Sequence, residues 1–429
     1  MFTRRDLIAA GTAAGGLLPC GIDRADSDDP ARAARFALAV LTLVNLFNYL
    51  DRYVLSALVE SLRRSELALS DTQIGSLMTG FLIVYLLASP VFGALGDRGR
   101  RPRLIAGGIA LWSVATGLGG LARSFSALFS ARAAVGVGEA AYGTIAPALL
   151  ADAFPKERRG RVFAVFFCAI PVGSALGYVV GGLLDQRFGW RSAFYAAGFP
   201  GVALAALALR VPDPPRRPEE RSDSPAPVGV ARWTSLLRNR PYRRVVAGYA
   251  AYTFALGALA FWTPAFLERV RGMPRRDATV LFGAIVVVTG LAGTFAGGWL
   301  GDRLLRRSRH AYLWLSGGAT LAAAPVTLLA FVAKTPAVYL GAMAAAQLLL
   351  FASTGPVNSA IVNAVAADRR ASAVALSILT IHLFGDVPSP PIVGAISDAT
   401  SLGRAFLVIP VVVALSGLLW LYAAARGDR

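Results

Sequence analysis

Long apolar runs broken by short charged segments dominate the chain. Val162–Leu184, Val245–Leu267, Ala278–Leu300 and Ala311–Ala333 each exceed twenty residues without one Asp, Glu, Lys or Arg. A compact soluble domain would alternate apolar and polar positions within each element instead. About 20 apolar residues at ~1.5 Å rise cross a ~30 Å hydrocarbon layer. The pattern therefore predicts an all-α integral membrane protein with twelve spanning helices, over 36–60, 72–95, 103–122, 125–150, 160–184, 192–210, 242–268, 277–301, 310–333, 335–366, 370–397 and 403–425. Between the sixth and seventh lies Pro212–Val230, rich in Pro, Arg, Glu and Ser, which reads as a linker. Trp233, Leu236 and Leu237 follow at helical spacing among Arg232, Arg238 and Arg240, the pattern of a helix lying at the membrane surface. The expected organisation is a tail over 1–35, a six-helix bundle over 36–211, a linker with its surface helix over 212–241, and a second six-helix bundle over 242–429.

Composition agrees with this reading. The 429 residues are 55% hydrophobic and 16% charged, with a mean hydropathy of +0.57; soluble domains run nearer 25% charged. The net charge of +18 would suggest nucleic acid in a soluble chain, but its distribution points to lipid. With the N-terminus inside, inner loops carry 23 Lys and Arg against 11 in outer loops. That bias places both termini in the cytoplasm and makes anionic inner-leaflet lipid the natural partner, with no role for nucleic acid. Thr3-Arg4-Arg5-Asp6-Leu7-Ile8 and the short apolar run after it are similar to a bacterial twin-arginine signal. Cleavage there would invert the loop-charge count, so the segment is read as a retained tail or an over-extended start.

Cys20 and Cys168 form no motif, and His310 and His382 are too few for a histidine metal cluster. GxSxG, P-loop and HExxH patterns are missing as well. No cofactor, no metal and no enzyme activity are expected. A membrane-embedded lipid enzyme would need a nucleophile or metal constellation that the sequence does not display.

Gly-x-x-x-Asp closes the second helix (Gly93, Asp97), the fifth (Gly181, Asp185), the eighth (Gly298, Asp302) and the eleventh (Gly394, Asp398). It recurs every third helix, so two copies end inside and two outside. Gly93, Gly96, Asp97, Arg98 and Arg101 recur in register as Gly298, Gly301, Asp302, Arg303 and Arg306. Helical triplets inserted in alternating orientation, six on each side of a linker, are the plan of a rocking transporter; a passive channel does not need moving halves.

Gly93-Ala-Leu-Gly96-Asp97-Arg98-Gly99-Arg100-Arg101 resembles the loop signature between the second and third helices of the major facilitator superfamily. Asn48-Tyr49-Leu50-Asp51-Arg52-Tyr53, Gly136-Val137-Gly138-Glu139-Ala140-Ala141-Tyr142-Gly143-Thr144-Ile145-Ala146-Pro147 and His382-Leu383-Phe384-Gly385-Asp386-Val387-Pro388-Ser389-Pro390 resemble its Spinster branch, as do Ala251–Gly257 and Gly355-Pro356-Val357-Asn358. The resemblance covers roughly 36–425. It implies alternating-access transport, often proton-linked, of lysophospholipids or sphingosine phosphate in animal members. For a bacterial member it implies a multi-pass protein of the inner membrane, here expected as a monomer.

Few ionisable residues fall inside the spans: Asp51, Arg52, Arg132, Glu139, His382 and Asp386. A charge at mid-bilayer costs at least ~2.5–3.5 kcal/mol, so each must face a polar cavity or a partner. At ~1.5 Å per residue, Asp51 lies roughly 22 Å from the inner face and Arg132 roughly 10 Å from the outer. In a ~30 Å slab these depths are similar. Arg132 and Glu139 sit two turns apart on one helix face, so two acids and two bases converge in the first bundle. Burial and a neighbouring arginine pull a carboxyl's proton affinity in opposite directions, which suits Asp51 and Glu139 to proton coupling. Arg52 and Arg132, with Tyr142, His382 and Asp386, are the candidate headgroup contacts; a guanidinium can grip phosphate or carboxylate bidentately. A permanent salt-bridge network and a hydrogen-bonded kink at His382–Asp386 are the plainer alternatives.

Gly93, Asp97, Arg98 and Arg101, with Asp302 and Arg303 as counterparts, are candidates for a gate at the inner face, which the resemblance associates with the outward-open state. Gly173, Gly177 and Gly181 on the fifth helix and Gly293, Gly297 and Gly301 on the eighth form small-residue stripes. By resemblance these two helices face each other, so the stripes are expected as sliding surfaces, with tight packing inside one bundle as the alternative. The fifth helix partly resembles an antiporter motif but carries Tyr178 at its proline position, which leaves direction open. The function expected is proton-coupled transport of a lysolipid-like anion or zwitterion, with a small organic anion as the second candidate.

Overall fold

The computed structural model describes residues 30–215, 235–365 and 370–427. The twin-arginine-like segment, most of the linker with Trp233, and Arg369 lie outside the described residues. Twelve long helical segments follow the expected order: α1 (Pro30–Ala57), α2 (Asp71–Arg98), α3 (Arg101–Gly119), α4 (Phe125–Ala153), α5 (Lys156–Phe188), α6 (Trp190–Ala208), α7 (Arg240–Arg269), α8 (Arg275–Leu305), α9 (Ala311–Val332), α10 (Pro336–Phe351, continued by Thr354–Asn363), α11 (Arg370–Ile381, resumed at Ser389–Ala399) and α12 (Val408–Gly427). Ten of the described spans are long and apolar enough to cross a membrane. The other two, α3 and α6, are 19 residues each and begin with Arg101, Arg103 and Arg191, which dilute their hydropathy.

Local chemistry sets the boundaries. Ser70 and Gln73 form a capping box at the start of α2, and the Ser124 and Asn239 side chains accept from backbone N–H groups at the starts of α4 and α7. Gly189, at φ +80°, makes the left-handed turn between α5 and α6. The sequence pattern gives α10 and α11 as single spans, with a kink at His382–Asp386 as one reading; both are interrupted, because Pro356 and the run Pro388, Pro390, Pro391 carry no N–H for the preceding carbonyls. In α11 the interruption includes a π-helical turn, His382–Asp386.

Helices α1–α6 form one bundle and α7–α12 the other, with repeated pairings: α1 on α5, α2 and α3 on α4, α3 on α6, and correspondingly α8 on α10 and α9 on α12. Two seams join the bundles, α2 against α11 and α5 against α8. Here the "inner" end is the one bearing the arginine-rich loops. Along α1, Arg35, Phe36, Ala39 and Leu43 near the inner end are exposed, whereas Val54–Glu60 at the outer end is buried throughout. On α7 the same gradient runs from exposed Arg243 and Ala247 to buried Phe261–Leu267. The bundles thus meet at their outer ends and diverge inward.

The glycine stripes are not sliding surfaces. A Cβ on Gly177 would lie 2.6 Å from the Leu50 carbonyl of α1, and one on Gly293 would lie 2.6 Å from the Leu348 carbonyl of α10. Both stripes let backbones approach within one bundle. The α5–α8 seam is made by their neighbours, Gly182 against Thr279 and Gly283 against Ala175.

Candidate functional site

Close backbone packing brings four charges together inside the first bundle. A Cβ on Gly136 of α4 would sit 2.5 Å from the Phe81 carbonyl of α2, so the two helices touch where α4 carries Arg132 and Glu139. Asp51 and Arg132 are 0% exposed. One Asp51 carboxylate oxygen accepts from Arg132 Nη1 at 3.2 Å, the other from the Thr116 hydroxyl of α3 at 2.6 Å. Next to it on α1, Arg52 Nη2 donates to Glu139 Oε2 at 2.7 Å. The convergence expected from helix depth is therefore present as two ion pairs, neutral in sum.

The two pairs differ in setting. Arg52 retains 15% side-chain exposure while its partner Glu139 has none. Its guanidinium lies 4.9, 5.0 and 5.6 Å from the ring centres of Tyr49, Phe81 and Tyr85. Arg132 lies 5.4 Å from the same Phe81 ring, so that ring touches both cations. Arg52 Nε, Arg132 Nε and Nη2, and Glu139 Oε1 have no hydrogen-bond partner among the described residues. Unused donors and acceptors next to paired charges leave capacity for a proton or a polar ligand.

In the second bundle, His382 Nδ1 lies 2.9 Å from both carboxylate oxygens of Asp386 across the π-helical turn. Both side chains are partly exposed, at 26% and 22%. Gly257 of α7 admits this turn: a Cβ there would be 2.8 Å from Asp386 Cβ.

Residues 41–387 match the Major Facilitator Superfamily. The chain belongs to that superfamily. Within it, the chain is 32% identical to "Probable sphingolipid transporter spinster homolog 2" of Arabidopsis thaliana, covering 87% of this chain and 84% of that one. It is 36% identical to an "MFS-type efflux pump" of Mycolicibacterium smegmatis, covering 95% and 96%. Its fold matches a bacterial homologue of the human lysosomal transporter Spinster, solved inward-facing and unoccupied, with a TM-score of 0.83 over 92% of this chain and 97% of that one, at 22% identity. It is a Spinster-type major facilitator transporter, a multi-pass membrane protein and not an enzyme.

At the inner end of this transporter the expected gate residues stand apart. Asp97 and Arg98 are exposed, and Gly93 and Gly96 pack on Thr144 and Ile145 of α4. Arg101 is instead buried within its own bundle, donating to Asp213 at 2.7 Å and to Asp152 and the Pro214 carbonyl at 2.5 Å. Asp302 accepts from the Tyr312 hydroxyl at 2.8 Å, and Arg303 lies 5.4 Å from the Trp299 ring. Tyr142 requires a correction. Expected as a headgroup contact, it is 1% exposed, donates to the Leu41 carbonyl at 2.6 Å and packs edge-on to Trp112. It joins α4 to α1 and α3 as a packing residue.

The outer end holds ion pairs that the sequence pattern alone does not assemble. Arg269 of α7 grips Asp71 at 2.9 and 2.5 Å and Glu60 at 2.6 Å; these carboxylates are 2% and 1% exposed. Ser397 of α11 adds a bond to Asp71 at 2.5 Å. Arg275 of α8 meets Asp185 of α5 at 2.5 Å and Glu268 at 3.0 Å. Asp398 receives the Asp71 and Thr72 N–H groups at 2.9 and 2.8 Å. Asp185 and Asp398 are the two outer copies of the Gly-x-x-x-Asp repeat, the signal that marks this closure. In the outer loop, burial beneath Phe266 and Tyr339 lowers the proton affinity of Arg271, with Tyr339 opposing, while Arg271 fixes the Phe331 carbonyl at 2.7 Å.

Proposed function

We propose that this protein is a proton-coupled, alternating-access transporter of an amphipathic anion or zwitterion with a lysolipid-like or sphingolipid-like form. The observation that carries the reading is the Arg52–Glu139 pair, one member partly exposed inside an aromatic box and the other fully buried. A proton on Glu139 cancels its charge and frees the Arg52 guanidinium for a phosphate or carboxylate headgroup. Arg52 then regains a counter-ion from the cargo rather than standing alone in a poorly solvated site, a state that is costly. Asp51 and Arg132, held with Thr116, are the second coupled pair, and His382–Asp386 offers polar contacts from the opposite bundle. The Spinster relatives, one of them named for sphingolipid, support a substrate with a long apolar part.

In this reading the bundles 36–211 and 242–429 rock about the site, joined by 212–241, and Asp97, Arg98, Asp302 and Arg303 close the inner end in the opposite state. The protein works as a monomer in the bacterial inner membrane with both termini cytoplasmic. Purified protein in liposomes, loaded by a pH gradient, tests it. Wild type accumulates labelled lysolipid in response to the gradient, whereas Glu139→Gln loses pH-driven accumulation but retains exchange. Full pH-driven accumulation by Glu139→Gln removes Glu139 from the mechanism. Accumulation of small organic anions in place of lysolipid replaces the substrate class.

A further inference from the structure

We infer that Thr79 of α2 is a positioning residue of the transport cycle, holding the outer-closed state by hydrogen bonding a carbonyl that proline has orphaned in the opposite bundle. The inference rests on the alternating-access reading above. In an unbroken helix the Val387 carbonyl would accept from the N–H of residue 391, but that residue is Pro391 and has none. The Thr79 hydroxyl supplies the bond instead, donating to the Val387 carbonyl at 2.5 Å across the seam between the bundles. Val387 is 5% exposed and packs among the apolar core of the first bundle, the single residue of the second bundle in that cluster among the described residues.

The surrounding seam is shaped for this contact. One turn before Thr79, Gly75 lies against the same proline run; a Cβ there would be 2.5 Å from the Pro390 carbonyl. That carbonyl also accepts from Trp262 Nε1 of its own bundle at 3.0 Å. The two carbonyls thus find donors on different bodies, Pro390 from α7 and Val387 from α2. Only the second must part when the bundles separate at the outer end. Opening there exposes a carbonyl with no donor in its own helix, and a buried unpaired carbonyl is costly until water reaches it. Thr79 stands about two turns along α2 from Asp71, so this contact is set deeper than the outer ion pairs.

The experiment uses full-length protein in nanodiscs with Cys20→Ser and Cys168→Ser, carrying spin labels at Arg123→Cys and Ala399→Cys, exposed outer-end positions on opposite bundles. Electron-electron distance distributions then report outer opening. Two populations in the wild type report the exchange itself, independently of Thr79. Thr79→Val, which keeps shape and loses the hydroxyl, is expected to raise the long-distance population about fivefold, the weight of one ordinary hydrogen bond. Thr79→Ser is expected to restore the wild-type ratio. In Pro391→Ala, which gives Val387 a partner within its helix, Thr79→Val is expected to have little further effect. A Thr79→Val distribution equal to wild type overturns the assignment. So does an equal Thr79→Val shift with and without Pro391→Ala, because then the hydroxyl is not serving the orphaned carbonyl.

Discussion

The carboxylate of Asp398, at the end of α11, caps a helix to which it is not connected. It accepts from the backbone N–H groups of Asp71 and Thr72 and from the Thr72 hydroxyl, at 2.9, 2.8 and 2.6 Å. Ser70 already serves the Gln73 N–H, so the first turn of α2 has its donors shared between its own bundle and the other one. An N-cap is worth about 1 kcal/mol, and a carboxylate gains further from the helix dipole. A cap supplied across the seam exists only while the outer ends are closed. Asp398→Ala is expected to increase labelling of a cysteine at Ala57, within the buried outer segment of α1, by several-fold, whereas Asp398→Asn, which keeps an acceptor, falls between. Unchanged labelling in Asp398→Ala means that the cap adds nothing to closure.

Arg269 serves two carboxylates that have almost no access to water. Removing one partner of a buried ion pair costs about 3–5 kcal/mol, because the other charge is left behind. Arg269 retains 17% side-chain exposure, so the lower end of that range applies. Arg269→Ala is expected to lower the Tm of detergent-purified protein by several degrees. Arg269→Lys should recover only part, since an ammonium cannot present the guanidinium fork to Asp71 while reaching Glu60. Complete recovery by lysine would show that charge alone, without the bidentate geometry, holds the outer end.

Asp51 and Arg132 separate stability from transport. Either single neutralisation, Asp51→Asn or Arg132→Gln, leaves an unmatched charge that is fully buried, and a marked loss of Tm is expected. Combining the two removes both charges, so the Tm should return towards wild type while pH-driven uptake stays lost. Uptake at wild-type rate in the double variant would make the pair a packing device and nothing more.

How much of this was legible beforehand follows from which residues carry periodic or compositional signals. The spanning helices announce themselves because lipid demands about 20 apolar residues in a row. The pairing of Asp51 with Arg132 was accessible from helix depth, because charges inside a bilayer must find partners and few lay at matching height. Tyr142 was misjudged because a tyrosine in a motif shows nothing of its direction; its hydroxyl is consumed by the Leu41 carbonyl. Nor could the glycine stripes declare their partner, since Gly177 suits any close backbone and here meets α1. The Thr79–Val387 bond joins residues 308 positions apart, and nothing periodic links a threonine on one helix to a carbonyl freed on another. Asp185 and Asp398 were visible as repeat copies, but which face was closed is a property of the conformation.

The glycines offer a last test, because one from the fifth-helix stripe and one from the repeat sit in different surroundings. Gly177 sits so close to α1 that a Cβ would meet the Leu50 carbonyl at 2.6 Å and Val54 N at 3.1 Å, backbone atoms that cannot swing aside. Gly298, one of the four repeat glycines, has nothing within 4 Å of its would-be Cβ. Overpacking at a tight contact costs typically 1–3 kcal/mol, whereas alanine in an open helical position gains up to about 1 kcal/mol in propensity. Gly177→Ala is therefore expected to lower the Tm and, by pushing α5 off α1, to disturb the charges that α1 presents, reducing uptake. Gly298→Ala should leave the Tm equal or slightly raised. If Gly298→Ala nevertheless abolishes uptake while the protein stays folded, that glycine is required for an approach made only when the inner ends close, as the equivalence of the repeat copies implies.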